Sequence, residues 1–184
     1  RALQHFEHQT TDLAPDIMSQ PVAAYIDPAR YQAEREGIFK QLPLALALTL
    51  ELPSPGDYKA MTVLETPIIL ARNQTGEVKC FLNACRHRGS RLCDDGCGAA
   101  RVFSCPYHAW TYDAEGALIG RYGAETFGEV DPADFHLTEL PCAERCGLIW
   151  VTLTPSQSMD IDAWLGDFAA ELDTLALSDW HLHE

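Results

Sequence analysis

Four side chains stand out in two short loops. Cys85-Arg86-His87-Arg88-Gly89-Ser90 offers a thiol and an imidazole in a C-x-H spacing. Seventeen residues later, Cys105-Pro106-Tyr107-His108-Ala109-Trp110 offers the same pair as C-x-x-H. Two Cys and two His make a tetrahedral set that suits zinc or an iron–sulfur centre. In a mononuclear zinc finger like ligands usually pair off, one arm giving Cys and the other His. Here each loop mixes the two, so each could give its Cys to one iron and its His to the other. Two His in place of two Cys on one iron is the ligand set of a Rieske [2Fe–2S] centre. Gly89 and Pro106 suit tight loops whose N–H groups approach sulfide.

Strands must hold these loops. Short apolar runs at Leu44–Leu50, Tyr58–Leu64, Pro67–Arg72 and Val78–Asn83 alternate with Gly, Pro and Asn turns, the pattern of antiparallel hairpins. Arg101–Ser104, Trp110–Tyr112, Ala117–Tyr122 and Leu148–Thr154 continue it. Asp27-Pro28 reads as an N-cap followed by Pro at the first helical position, opening a helix over 28–39. Ile161, Trp164, Leu165, Phe168, Leu172 and Leu175 recur at helical spacing. The expected fold is mainly β, an antiparallel β-sandwich flanked by an N-terminal and a C-terminal helix. Three segments follow: a helical extension (1–41), the cluster domain (42–155) and a C-terminal helical segment (156–184).

The chain has 184 residues, 47% of them hydrophobic, enough to bury a core and exclude global disorder. A formal charge of −14 excludes nucleic acid and anionic membrane as natural partners. The longest apolar run, Leu42–Leu50, is too short to span a bilayer. The N-terminus lacks a charged-then-apolar signal pattern and a starting Met, so a trimmed end is expected. Seven cysteines, an odd number, argue for thiolates bound to metal in a reducing compartment, hence a cytoplasmic protein. Cys93/Cys97 and Cys142/Cys146 form loose C-x-x-x-C pairs and read as ordinary thiols, as does Cys80 in its strand. His5 and His8 read as surface residues, and His136 has no evident partner. His181, His183 and Glu184 are crowded at the chain end and are not expected to bind iron.

Cys85-Arg86-His87-Arg88-Gly89 with Cys105-Pro106-Tyr107-His108-Ala109-Trp110-Thr111-Tyr112 resembles the Rieske domain of ring-hydroxylating oxygenase α subunits. The resemblance covers about residues 25 to 175 and includes Asp27–Phe39, Pro55-Gly56-Asp57-Tyr58, Pro67–Asn73 and Gly147–Val151. It implies that Cys85, His87, Cys105 and His108 bind a [2Fe–2S] cluster. The electron donor would be a ferredoxin or flavin-containing reductase. The acceptor would be a mononuclear Fe(II) in a catalytic domain, assembled as a homotrimer, in oxygenases acting on aromatics or methylated amines. That iron's ligands are absent here, so the chain is expected to be part of a longer enzyme. The alternatives are a stand-alone Rieske ferredoxin, against which the flanking helices count, and a zinc-stabilised module.

Rieske proteins of respiratory complexes resemble C-T-H-L-G-C and C-P-C-H-G-S. Their extra cysteines map to Ser90 and Tyr107, so their disulfide cannot form here. Their sulfide-bonding serine maps to Trp110, which has no hydroxyl. Tyr112 matches a tyrosine that can bond a ligand sulfur. The expected potential lies low in the Rieske span of roughly −150 to +300 mV. Residues 72–101 carry six basic and three acidic side chains, leaving −17 on the rest of the chain. Those arginines could attract an acidic donor.

Overall fold

The computed structural model describes residues 2–181 and divides into two compact units, 1–34 and 35–184. The first contains α1 (Ala2–His8), α2 (Ala23–Ile26) and α3 (Pro28–Glu34), none with a buried residue. Asp27 accepts a hydrogen bond from the Ala29 N–H at 2.9 Å, so the expected cap forms. Helix α1 was not legible in the sequence. The second unit begins with a π-helical turn, Arg35–Phe39, where a regular helix was expected.

Eleven strands follow: β1 (Leu44–Leu48), β2 (Asp57–Val63), β3 (Thr66–Arg72), β4 (Val78–Leu82), β5 (Gly96–Ala99), β6 (Val102–Ser104), β7 (Thr111–Asp113), β8 (Leu118–Gly120), β9 (Glu139–Leu140), β10 (Cys142–Arg145) and β11 (Leu148–Val151). They form three antiparallel sheets, ordered β1-β11-β10, β5-β2-β3-β4-β9 and β6-β7-β8. The fold is thus the antiparallel β architecture expected.

Period-two alternation explains the layering. In β3, Ile69 and Ala71 enter one core with Phe81, Phe103, Trp110 and Tyr112. Ile68 and Leu70 enter a second core with Val78, Cys80, Ile149 and Val151. Strand β3 is therefore buried on both faces, which is why its sequence is a continuous apolar run. Strand β11 behaves similarly: Trp150 faces away from the second core and meets Ile161, Leu165 and Ala169 of the C-terminal helices. The central sheet thus has the β6-β7-β8 layer on one side and the β1-β11-β10 layer on the other.

The expected C-terminal helix is interrupted. Helix α4 (Ile161–Leu165) stops at Gly166, whose φ is +50°, and α5 (Phe168–Asp173) restarts beyond it. The break shifts the apolar stripe, so Ile161, Leu165 and Ala169 are buried while Trp164 and Phe168 are exposed.

The β2–β3 hairpin turns through Leu64 and Glu65, both at positive φ (48° and 66°). That is the backbone twist of a two-residue hairpin turn that usually takes Asn-Gly. Arg35 secures it by donating to the Leu64 carbonyl at 3.4 Å and pairing with Glu65.

Candidate metal centre

The first loop leaves β4 and the second connects β6 to β7. Both fold on one backbone frame. The Cys85 N–H donates to the Ser90 carbonyl (2.8 Å) and the Gly89 N–H returns to the Cys85 carbonyl (2.8 Å). The Cys105 N–H donates to the Trp110 carbonyl (2.8 Å) and the Ala109 N–H to the Cys105 carbonyl (2.9 Å). The fifth residue has positive φ in each loop, 75° at Gly89 and 53° at Ala109. The need for Gly at the first position is conformational, because a Cβ there would meet nothing within 4 Å. The frames differ in where histidine stands: third in the first loop, fourth in the second.

Asn83 anchors the first loop from below. It is fully buried, its side-chain oxygen accepts from the Leu92 N–H (2.8 Å), and its amide donates to the Cys93 carbonyl (2.8 Å). Sequence reading marked Asn83 only as a strand end; its position two residues before Cys85 was the available signal.

The four candidate residues converge. Cys85 and Cys105 are buried at the base of the loops, and the His87 and His108 ring centroids lie 4.8 Å apart above them. Burial pushes the Cys85 thiol up, while hydrogen bonds from the Tyr112 hydroxyl and the His87 backbone oppose that. Burial also lowers the His87 pKa, helped by the neighbouring His108 and Arg88. Tyr112, from β7, accepts from the Arg86 N–H at 3.0 Å, and its hydroxyl lies 3.4 Å from Cys85 Sγ. Desolvation raises the Tyr112 pKa strongly, so it stays a donor.

Aromatic rings wall the site unequally. His87 stacks on Trp110 at 4.9 Å and 8° and meets Phe127 edge-on at 5.3 Å. His108 instead lies under the exposed Tyr107, 3.8 Å between centroids, and lines a groove of about 650 Å³ with Tyr122, Glu125 and Phe127. Sequence reading missed the Trp110–His87 stack and Phe127.

The residues fit an iron–sulfur cluster. Buried thiols in an apolar core become thiolates only beside strong positive charge, which bound iron supplies. His108 Nδ1 is buried without a hydrogen-bond partner, the state of a ring nitrogen reserved for metal. No three His, Cys, Asp or Glu side chains close on a single ion among the described residues. His5 bonds Thr10 and Asp12, and His8 bonds the Gln4 carbonyl. His136 and His181 are exposed, whereas His183 and Glu184 lie outside the described residues. None of the seven cysteines is joined in a disulfide.

Of the six basic residues between 72 and 101, Arg72 pairs with Glu144, Lys79 with Glu77 and Glu139, and Arg91 with Asp95. Arg86, Arg88 and Arg101 are exposed.

Twin ligand loops on a three-layer β fold define a Rieske iron–sulfur domain, and comparison with known proteins agrees: residues 43–127 match the Rieske [2Fe-2S] domain family. Those residues form a Rieske domain similar to that of ring-hydroxylating oxygenase α subunits. It is 34% identical over 169 residues to the α subunit of benzene 1,2-dioxygenase from Pseudomonas putida, spanning 91% of this chain and 36% of that protein. It is 33% identical over 165 residues to the oxygenase subunit of glycine betaine monooxygenase from Chromohalobacter salexigens, spanning 87% and 37%. The crystal structure of the quaternary ammonium Rieske monooxygenase CntA with an inhibitor superposes with a TM-score of 0.78 at 27% identity, covering 85% of this chain and 43% of that one. The chain thus spans about a third of the length of the curated relatives it matches. These relatives are oxygenase subunits, which favours that reading over a carrier ferredoxin. No helix among the described residues is long and apolar enough to cross a membrane.

Proposed function

We propose that Cys85 and Cys105 hold one iron of the cluster and His87 and His108 the other, and that the chain relays single electrons inside a Rieske non-haem iron oxygenase. The observation that carries this reading is the meeting of two buried thiols and two adjacent imidazoles in loops of identical backbone frame. The bound cluster supplies a one-electron store. The chain's own residues shield it, tune it and give it two approaches. Arg86 and Arg88 flank His87 and offer positive charge to an acidic ferredoxin or flavin-containing reductase. His108, which lines the open groove, would hand the electron on to a mononuclear Fe(II) in a catalytic domain that lies further along the polypeptide or in the neighbouring subunit of a homotrimer. On this reading residues 1–41 are an extension, 42–155 the Rieske domain and 156–184 the lead into the catalytic domain. The setting is cytoplasmic. The substrate is an aromatic compound or a methylated amine, since relatives of both kinds match to similar extents.

Iron and acid-labile sulfide analysis with EPR after dithionite reduction tests the assignment. Two irons, two sulfides and a reduced-cluster signal are expected. A colourless, EPR-silent, zinc-loaded protein overturns it. Replacing His87 or His108 with Cys is expected to lower the potential and weaken its pH dependence; an unchanged pH profile contradicts the ligand roles. Charge reversal at Arg86 and Arg88 is expected to slow reduction by an acidic ferredoxin and flatten its salt dependence.

A further inference from the structure

Trp110 is buried, yet its indole Nε1–H has no hydrogen-bond partner. A buried donor left unpaired costs about 1–3 kcal/mol, so native folds rarely leave one so. The surroundings do not satisfy it from the chain. The indole N–H lies in the ring plane, and that plane is within 8° of the His87 imidazole it stacks on, so it cannot point at His87's in-plane lone pairs. The other ring neighbours are Phe127 and Phe135, at 5.6 and 5.4 Å, whose π faces are weak acceptors. The second ligand loop therefore holds two orphaned buried nitrogens, His108 Nδ1 and Trp110 Nε1. The first is accounted for by iron.

We infer that the second is accounted for by the same group: Trp110 Nε1–H donates a hydrogen bond to sulfur of the bound cluster, making Trp110 a potential-setting residue as well as the wall behind His87. This deepens the cluster reading proposed above and rests on it. Trp110 lacks a hydroxyl but not a donor. A donor to sulfur stabilises the reduced, more negative cluster, so the indole N–H raises the potential above what the stacked ring alone would give.

Two measurements on the cluster-loaded chain test it. In Trp110→Phe, which keeps an aromatic face against His87 and removes the N–H together with the pyrrole ring, the reduced-to-oxidised ratio at fixed potential is expected to fall about tenfold, ~59 mV for one electron. Wild-type protein grown with indole-¹⁵N tryptophan and reduced with dithionite is expected to show a ¹⁵N coupling and an exchangeable proton in pulsed EPR. This second measurement needs no variant to fold. An unchanged potential in the loaded Trp110→Phe protein, or no ¹⁵N coupling in the labelled wild type, overturns the inference. Failure of the cluster reading looks different: the unlabelled wild type then gives no reduced-cluster EPR signal at all.

Discussion

The Tyr112 hydroxyl lies 3.4 Å from Cys85 Sγ while accepting the Arg86 N–H at 3.0 Å. One oxygen on β7 thus clamps the first loop and reaches the sulfur of a proposed ligand. Tyr112→Phe removes both contacts and leaves the ring in its core. A hydrogen bond of this kind contributes about 1 kcal/mol net. With ~59 mV per tenfold change in a one-electron equilibrium, the midpoint potential is expected to fall by some ~40 mV. Protein-film voltammetry reads it, and an equal or higher potential would show that the hydroxyl acts on the loop alone.

Gly89 and Ala109 occupy the same place in twin frames, and only one of them is glycine. A left-handed backbone costs an L-residue about 1–2 kcal/mol. Ala109→Gly is therefore expected to raise stability by up to about 1 kcal/mol, after the extra unfolded-state entropy of Gly is subtracted. Gly89→Ala is expected to lower it by about the same amount, with no clash. Urea melts of the paired variants check both signs.

Leu64 and Glu65 sit in a turn whose backbone suits Asn-Gly. The double substitution Leu64→Asn, Glu65→Gly relieves two positive-φ positions and surrenders the Arg35–Glu65 pair. Glu65 is exposed though Arg35 is largely covered, and a pair with one solvated partner is worth about 0–1 kcal/mol, less than the relief at two left-handed residues. A net rise in the melting temperature is expected; a fall would mean that Arg35 contributes more than the turn geometry.

Asp173 is held below the usual carboxylate range by a hydrogen bond with Cys146, with Arg145 assisting. Its folded pKa is depressed, so its stabilising contribution is present above the unfolded value near 3.8 and is lost as pH falls through the lower folded value. Arg145 also pairs with Asp162 at 2.8 Å, which ties α4 and α5 to β10. Asp173→Asn is expected to flatten the acid limb of the unfolding profile below about pH 4. An unchanged acid limb, followed by Trp fluorescence, would refute that link.

The candidate ligand set stands out in the sequence because its chemistry fixes residue type and spacing together. The strands that carry it were legible where apolar residues alternate or run on, as in β3 and β4. What escaped were elements made by pairing rather than by propensity. Gly96-Cys97-Gly98-Ala99 has no β-branched or aromatic residue, and becomes β5 because β2 pairs alongside it, Tyr58 opposite Gly98 and Lys59 opposite Cys97. A side chain at position 98 would strike the Tyr58 ring, with its Cβ 2.9 Å from a ring carbon. Strands β9 and β10 are two and four residues long and are separated by Pro141, too short for periodicity to register. The aromatic wall was hidden for another reason: Trp110, Phe127 and Phe135 are distant in sequence, and only the closing of the β6-β7-β8 layer brings them together.

Among its described residues the first compact unit buries no side chain, and Leu3, Phe6, Leu13, Ile17, Met18 and Tyr25 are each at least 74% exposed. All three apolar cores draw their members from residue 44 onward. In handling terms, this first unit presents a run of apolar side chains to solvent, a surface prone to self-association. Replacing Phe6, Ile17 and Met18 with Ser is expected to raise the concentration at which the protein stays monodisperse, read by light scattering.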